Sequence, residues 1–211
     1  MMGMLLHEQL WQNNLVLAQR CLEHPFVRGL ADGTLPVDAF RRYVAQDAYF
    51  LRAFLSAYAL CTARSPDTEA AAALVEMQQG TLDELKLHSA YSRELGIDLS
   101  DVHPYRATAA YSDFLQRTAW AESVDQTLAA MTPCVRLYGF LGSELARKEI
   151  PSHRYGDWIQ TYSSEDYWKH VHRMEALLDR LAHATPAVQE RYRYAMQCEV
   201  DFFSAPLEEA G

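Results

Sequence analysis

A cysteine, a glutamate and an aspartate occupy positions where apolar side chains are due. Phe40, Tyr43, Val44, Leu51, Phe54, Leu55 and Tyr58 recur at helical spacing, and Asp47 falls among them. Cys134 shares a stripe with Tyr138, Leu141 and Leu145, and Glu199 shares one with Val188, Tyr192, Ala195 and Phe202. A buried carboxylate without a partner costs several kcal/mol or shifts its pKa. Three helices that each aim a reactive group inward, beside tyrosines, describe a pocket with a nucleophile, a proton carrier and an anchoring carboxylate. A thiol near its ordinary pKa needs a base, and a Glu raised by burial suits that task near neutrality. A buried Asp facing a ligand amine makes a charge-assisted hydrogen bond. Tyr111, Tyr138 and Tyr162, with Phe50, Phe202 and Phe203, could line a slot for a flat aromatic ring.

Each residue also has a plainer reading. Lone cysteines on apolar faces are usually core thiols, and Cys21, Cys61 and Cys198 read that way. Glu199 could pair with Arg136 or Arg193. Asp47 could cap a helix or pair with Arg52 or Arg106. The aromatics could be ordinary core. A di-metal centre has its own candidates: Glu84 and His88 at i, i+4, Glu144, and His172, Glu175 and Asp179 on one helix. No Glu-x-x-His pair occurs anywhere, and an exposed ion pair explains Glu84 and His88 as well. No metal or cofactor is therefore expected.

The elements that must position these groups are all helical. Residues 4–23 read as one amphipathic helix, followed by a short turn over 26–31 that Asp32-Gly33 breaks. Helices are predicted from Pro36 to about Arg64, over 66–95 with Ser65 as cap and Gly96 as stop, and over 105–121. Ser123-x-x-Gln126 reads as a capping box for 124–149, where Pro133 should kink the helix just before Cys134. A short helix over 153–162, one over 165–183, and a last one from Thr185-Pro186 to before Pro206 complete the chain. No segment alternates as a strand would. The expectation is one all-α domain over 1–211, a bundle of about seven long helices with short ones added.

Composition narrows the function. The 211 residues are 49% hydrophobic with net charge −9, and no basic run marks a nucleic-acid footprint. No run of about 18 apolar residues is present to span a membrane. Glu8 interrupts the N-terminal apolar stretch too soon for a secretion signal. The four cysteines are scattered without a C-x-x-C pair, which fits reduced thiols in a cytoplasmic protein.

Several separated motifs resemble one family. His24-Pro25-Phe26-Val27-Arg28-Gly29-Leu30-Ala31-Asp32-Gly33-Thr34-Leu35, then Phe40-x-x-Tyr43-Val44-x-Gln46-Asp47-x-Tyr49-Phe50-Leu51, resemble the start of the thiaminase II (TenA) family. So do Pro133-Cys134-x-x-x-Tyr138, Trp158-Ile159-x-x-Tyr162-x-Ser164-x-x-Tyr167, and Glu199-x-x-Phe202-Phe203. The resemblance runs over roughly residues 8–205. It implies a haem-oxygenase-like helical bundle without haem and a homotetramer. It implies hydrolysis of 4-amino-5-aminomethyl-2-methylpyrimidine to the hydroxymethyl compound in thiamin salvage, with cleavage of thiamin as a slower activity. It makes Cys134 the nucleophile and Glu199 the proton shuttle. Asp47 would hold the ring nitrogen and exocyclic amine, Phe50 would stack on the ring, and Tyr111, Tyr138 and Tyr162, with Phe202, would complete the site. One departure is Phe203, where the family commonly carries tryptophan. A haem-oxygenase-like di-metal oxidase and a non-enzymatic pyrimidine-binding protein are the alternatives.

Overall fold

Side chains at the turns fix where the helices begin. The computed structural model describes residues 3–208, and all side chains among them except those of 87–91, 94 and 95. Its ten helices are α1 (Leu6–Asn13), α2 (Leu15–Leu22), α3 (Pro25–Asp32), α4 (Val37–Ala63), α5 (Thr68–Leu95), α6 (Arg106–Ala121), α7 (Val124–Leu145), α8 (Gly156–Ser163), α9 (Glu165–Leu181) and α10 (Pro186–Glu208). There is no strand among the described residues, as the sequence periodicity predicts. The His24 ring accepts from the Phe26 amide at 3.2 Å ahead of Pro25, which opens α3. Asp67 accepts from the Ala70 amide at 2.8 Å and Ser164 from the Tyr167 amide at 3.1 Å, which start α5 and α9. Gly33 and Gly96 end α3 and α5 at φ of 77° and 66°, a conformation that other residues adopt only with strain.

Four boundaries differ from the sequence reading, each for a local reason. The run over 4–23 breaks at Asn14. The Asn14 side-chain amide donates to the Leu10 carbonyl at 2.8 Å, and its backbone amide turns to Trp11 instead. α5 is capped by Asp67, because the Ser65 hydroxyl is donated to the Cys61 carbonyl. The Ser123 hydroxyl accepts from the Gln126 side chain at 3.2 Å but from no backbone amide, and α7 stops at Leu145 rather than 149. α10 runs through Pro206 to Glu208. The proline lies in the last turn, where one missing donor matters least, and Arg42 of α4 holds its carbonyl at 2.8 Å.

α4 packs on α5 and α6, while α7 packs on α8, α9 and α10. Tyr43, Tyr58, Tyr111, Leu74, Phe203 and Met131 are fully buried between these layers. A Cβ on Gly142 would lie 2.4 Å from the Tyr162 carbonyl carbon, so glycine there lets α8 rest directly on α7. On another face of α7, Arg136 lies between the rings of Trp11 and Trp168, 4.1 and 4.9 Å from their centroids. Its Nε donates to Glu175 at 3.0 Å, and His7 of α1 bonds Asp179 at 2.6 Å one turn further along α9. No helix among the described residues is long and apolar enough to cross a membrane.

Candidate active site

Helical periodicity from five elements converges on one chamber. Asp47, Leu51 and Phe54 come from one face of α4, and Cys134 and Tyr138 from one face of α7. α5 adds Thr81 and Glu84, α8 adds Tyr162, and α9 adds Tyr167 and His170. The chamber is closely filled by its own side chains, with a cavity volume of about 20 Å³. It adjoins an outer basin of about 310 Å³, open to solvent, lined by Gly80, Asp83, Thr161, Ser164 and Asp166. Thr81, Glu84, Tyr162, Tyr167 and His170 line both spaces and form the neck between them.

A hydrogen-bonded aromatic wall fixes the chamber. Tyr43 donates to the Tyr138 hydroxyl at 3.2 Å and accepts from the Trp158 indole at 3.3 Å. Tyr138, Tyr162 and Tyr167 meet edge to face, with successive centroids 4.9 Å apart. Tyr162 donates its hydroxyl to Glu84 Oε1 at 2.7 Å.

Behind Cys134 lies a second layer. Glu199 of α10 is 1% exposed and accepts from the Tyr111 hydroxyl at 2.8 Å. Burial pushes its carboxyl up to about 8; the charge of Asp47 pushes the same way, and bonds from Tyr111 and the Cys134 thiol oppose it. The Cys134 thiol is held well above its usual range, first by burial and then by the charges of Glu199, Asp47 and Glu84. At neutral pH the thiol is protonated and the carboxyl is mostly protonated too, so only the ionised fraction of Glu199, which grows as pH rises toward 8, can accept the thiol proton. Burial lowers the His170 imidazole to about 4, so it is neutral.

The residues singled out by sequence divide between the two layers. Cys134, Asp47, Tyr138 and Tyr162 line the chamber. Glu199 and Tyr111 stand behind the thiol. Phe50 packs on Tyr111 at 4.4 Å and lies 5.9 Å from Phe202, so both phenylalanines back the wall and leave its inner surface to others. The plainer pairings of Glu199 and Asp47 meet other partners. Arg136 is held by Glu175, and Arg52 donates to the Leu99 carbonyl. Glu144 pairs with Arg147 just past the end of its helix. His88 lies outside the described side chains. Among the described residues no group of three or more His, Cys, Asp and Glu side chains could hold a metal ion. Sequence reasoning missed Glu84, Tyr167 and His170 as pocket residues. Glu84 had a legible signal: Ala70, Leu74, Met77 and Thr81, all buried, are spaced so that Glu84 continues their stripe.

Together the helices and the thiol-bearing chamber define an all-α bundle protein whose reactive side chains meet in its interior. A profile of the TENA/THI-4/PQQC family matches residues 11–209, and the chain belongs to that family. The aminopyrimidine aminohydrolase of Helicobacter pylori is 31% identical over 186 residues, covering 84% of this chain and 85% of that protein. The mitochondrial bifunctional TH2 protein of Arabidopsis thaliana is 33% identical over 208 residues, covering 86% of this chain; the chain spans only 34% of that relative's length. A TenA family transcription regulator from Silicibacter sp. TM1040 has a crystal structure that superposes with a TM-score of 0.88 at 29% identity, covering 95% of each chain.

Proposed function

We propose that the protein hydrolyses 4-amino-5-aminomethyl-2-methylpyrimidine to the hydroxymethyl compound and ammonia, with Cys134 as nucleophile and Glu199 as proton shuttle. The observation that carries this reading is the stack of Cys134, Glu199 and Tyr111 at the wall of an aromatic chamber that also holds Asp47. The relatives named aminopyrimidine aminohydrolase support it, and so does the family resemblance in the sequence.

The chemistry follows from where the protons rest. As Sγ bonds to a ring carbon, the thiol proton passes to the Glu199 carboxylate. The displaced ring electron pair forms a double bond to the exocyclic carbon, and the C–N bond breaks with its pair on nitrogen. Glu199 gives its proton to that nitrogen, which leaves as ammonia. Water then adds to the exocyclic methylene and loses a proton to Glu199. The C–S bond breaks, the ring regains its aromaticity, and sulfur takes the proton back. A soft nucleophile that is also a good leaving group suits both halves. Asp47 accepts from the exocyclic amine and a protonated ring nitrogen, a charge-assisted pair that fixes the ring edge. Tyr111 orients Glu199, and Tyr138 and Tyr162 close on the ring. Phe50 and Phe202 support the wall from behind.

The test is an assay of purified protein with the aminomethylpyrimidine and with thiamin, alongside Cys134→Ser. The variant is expected to bind pyrimidine without turning it over. Activity of Cys134→Ser close to that of the unaltered protein would sink the covalent route. Binding without turnover by the unaltered protein would select a pyrimidine-binding protein instead.

A further inference from the structure

Three helices join at a chain of two hydroxyls and an indole, and the chain has a direction. An indole N–H only donates. Trp158 of α8 gives its hydrogen to the Tyr43 hydroxyl of α4 at 3.3 Å, and Tyr43 lies 3.2 Å from the Tyr138 hydroxyl of α7. Burial holds both tyrosines well above their usual range, so each keeps a hydrogen to place. Tyr43 is fully buried, with the rings of Phe26, Phe40 and Phe203 at 5.1, 5.9 and 6.4 Å from its own. Among the described residues, Trp158 and Tyr138 are the polar partners of its hydroxyl. Were Tyr138 to donate to Tyr43, the Tyr43 hydrogen would be left in the core without an acceptor, which is the costlier arrangement. The Tyr43 hydrogen therefore goes to the Tyr138 oxygen. Tyr138 lines the chamber, and the chamber is where its own hydrogen can go.

We propose that Trp158 and Tyr43 are positioning residues: they fix the Tyr138 hydroxyl as a hydrogen-bond donor to the chamber, and so to a ring nitrogen that carries no proton. This rests on the aminopyrimidine reading above. In that reading Asp47 takes the exocyclic amine and the protonated ring nitrogen, which leaves the second ring nitrogen as an acceptor alone. A hydroxyl free to rotate can meet that nitrogen with its own lone pairs. A hydroxyl whose oxygen is engaged from behind by Tyr43 meets it with hydrogen. The same arrangement rejects a ring that presents C–H at this place, because the Tyr138 hydrogen is then unpaired. Donors in series polarise one another, so the indole strengthens the last bond of the chain. A donor on the ring nitrogen also draws electron density from the ring, which makes a ring carbon more open to attack by sulfur without moving a proton. Tyr43 stands four residues before Asp47 on α4, so one helix face supports both edges of the ring.

Two probes without a leaving group report binding alone. One is 4-amino-2-methylpyrimidine. The other is 2-amino-6-methylpyridine, the same ring with C–H in place of the second nitrogen. Calorimetry gives the ratio of the two affinities in each protein, so the difference in ring basicity cancels between proteins. The preference for the pyrimidine is expected to fall roughly fivefold in Tyr43→Phe, the scale of one hydrogen bond. Tyr138→Phe should lower it at least as far. Adding Tyr43→Phe to Tyr138→Phe should change it no further, because both act through one hydrogen. Trp158→Phe, which leaves both tyrosines in place, should lower the ratio in the same direction, and it carries the test if Tyr43→Phe does not fold. A purely structural role predicts equal losses for both probes, and that result would overturn the proposal. So would a ratio that holds in Tyr43→Phe, or in Trp158→Phe where that variant stands in. If Tyr138→Phe still lowers the ratio in that case, the ring is recognised without the two residues behind Tyr138, and the aminopyrimidine reading survives. If neither probe binds, the proposal falls, and the aminopyrimidine reading falls with it only when the unaltered protein also leaves the aminomethylpyrimidine unhydrolysed.

Discussion

Tyr111 of α6 donates its hydroxyl hydrogen to Glu199 Oε1 of α10 at 2.8 Å, with both side chains buried. A donor to the ionised form favours ionisation, so this bond holds the Glu199 carboxyl lower than burial alone would. The Tyr111 hydroxyl is itself held well above its usual range by burial and by Glu199, so it stays a donor across the working pH range. Tyr111→Phe removes the donor and keeps the ring packed on Phe50. The carboxyl should then rise above about 8. In the proposed reaction the ionised carboxyl accepts the thiol proton, so the acid limb of kcat/KM should move to higher pH. A pH–rate profile of the variant with its midpoint unmoved would separate Tyr111 from proton transfer.

Glu199 also links stability to pH. Its pKa rises from the usual 4.5 in the unfolded chain to about 8 in the fold. The folded state thus favours the protonated form. Its contribution is intact below about 4.5, declines as pH rises through this window, and levels off above about 8. Glu199→Gln has no charge to bury. Its stability relative to the unaltered protein should improve by a few kcal/mol between pH 5 and pH 9. Its kcat should fall by about 10²–10⁴, the range for a positioned acid–base group. Denaturant melts at the two pH values check the first statement, and a rate measurement on the same sample checks the second.

Gly142 sets the distance between α7 and α8. In Gly142→Ala the new methyl meets backbone at 2.4 Å and cannot be relieved by a side-chain rotation. α8 must move outward and carry Tyr162 with it. The expected result is a loss of about 1–3 kcal/mol and a looser Tyr162–Glu84 bond. Thermal melts measure the first. A rise in KM with a smaller change in kcat would register the second.

Arg136 lies two residues past Cys134, about 200° around the helix, and so faces away from the chamber. Arg136→Ala would leave Glu175, only 6% exposed, without its guanidinium partner and empty the space between two tryptophans. A cost of about 3–5 kcal/mol is expected for breaking such a pair. The pH midpoint of activity should stay where it is, since nothing in the chamber touches Arg136.

The convergence of the candidate residues is legible because polar groups on apolar stripes are rare. Asp47, Cys134 and Glu199 each interrupt a run of side chains that is otherwise core, and helical spacing fixes the direction each points. Tyr138 and Tyr162 followed from the same spacing. Glu84 obeys that rule too, but His88 four residues on offered an exposed pairing that took precedence. Tyr167 and His170 lie on α9 beside buried Val171 and Met174, and no periodicity separates the neck from the core below it. That distinction depends on how α9 sits against α5, which is set by packing. The break at Asn14 was hidden for a different reason. The hydrophobic pattern continues through it, and only a side-chain hydrogen bond to the Leu10 carbonyl reveals the interruption.

The elevated thiols have a consequence for how the protein ages. Burial raises Cys61 and Cys198 to about 12 and holds Cys21 and Cys134 above their usual range as well. Peroxide and alkylating agents consume thiolates rather than thiols. At neutral pH the resting chain offers them almost none, so slow inactivation by iodoacetamide is expected even though Cys134 borders a cavity. In the proposed reaction a thiolate at that position arises only as its proton moves to Glu199. The vulnerable interval is then the catalytic cycle, and a protein idle in air should keep its four thiols reduced.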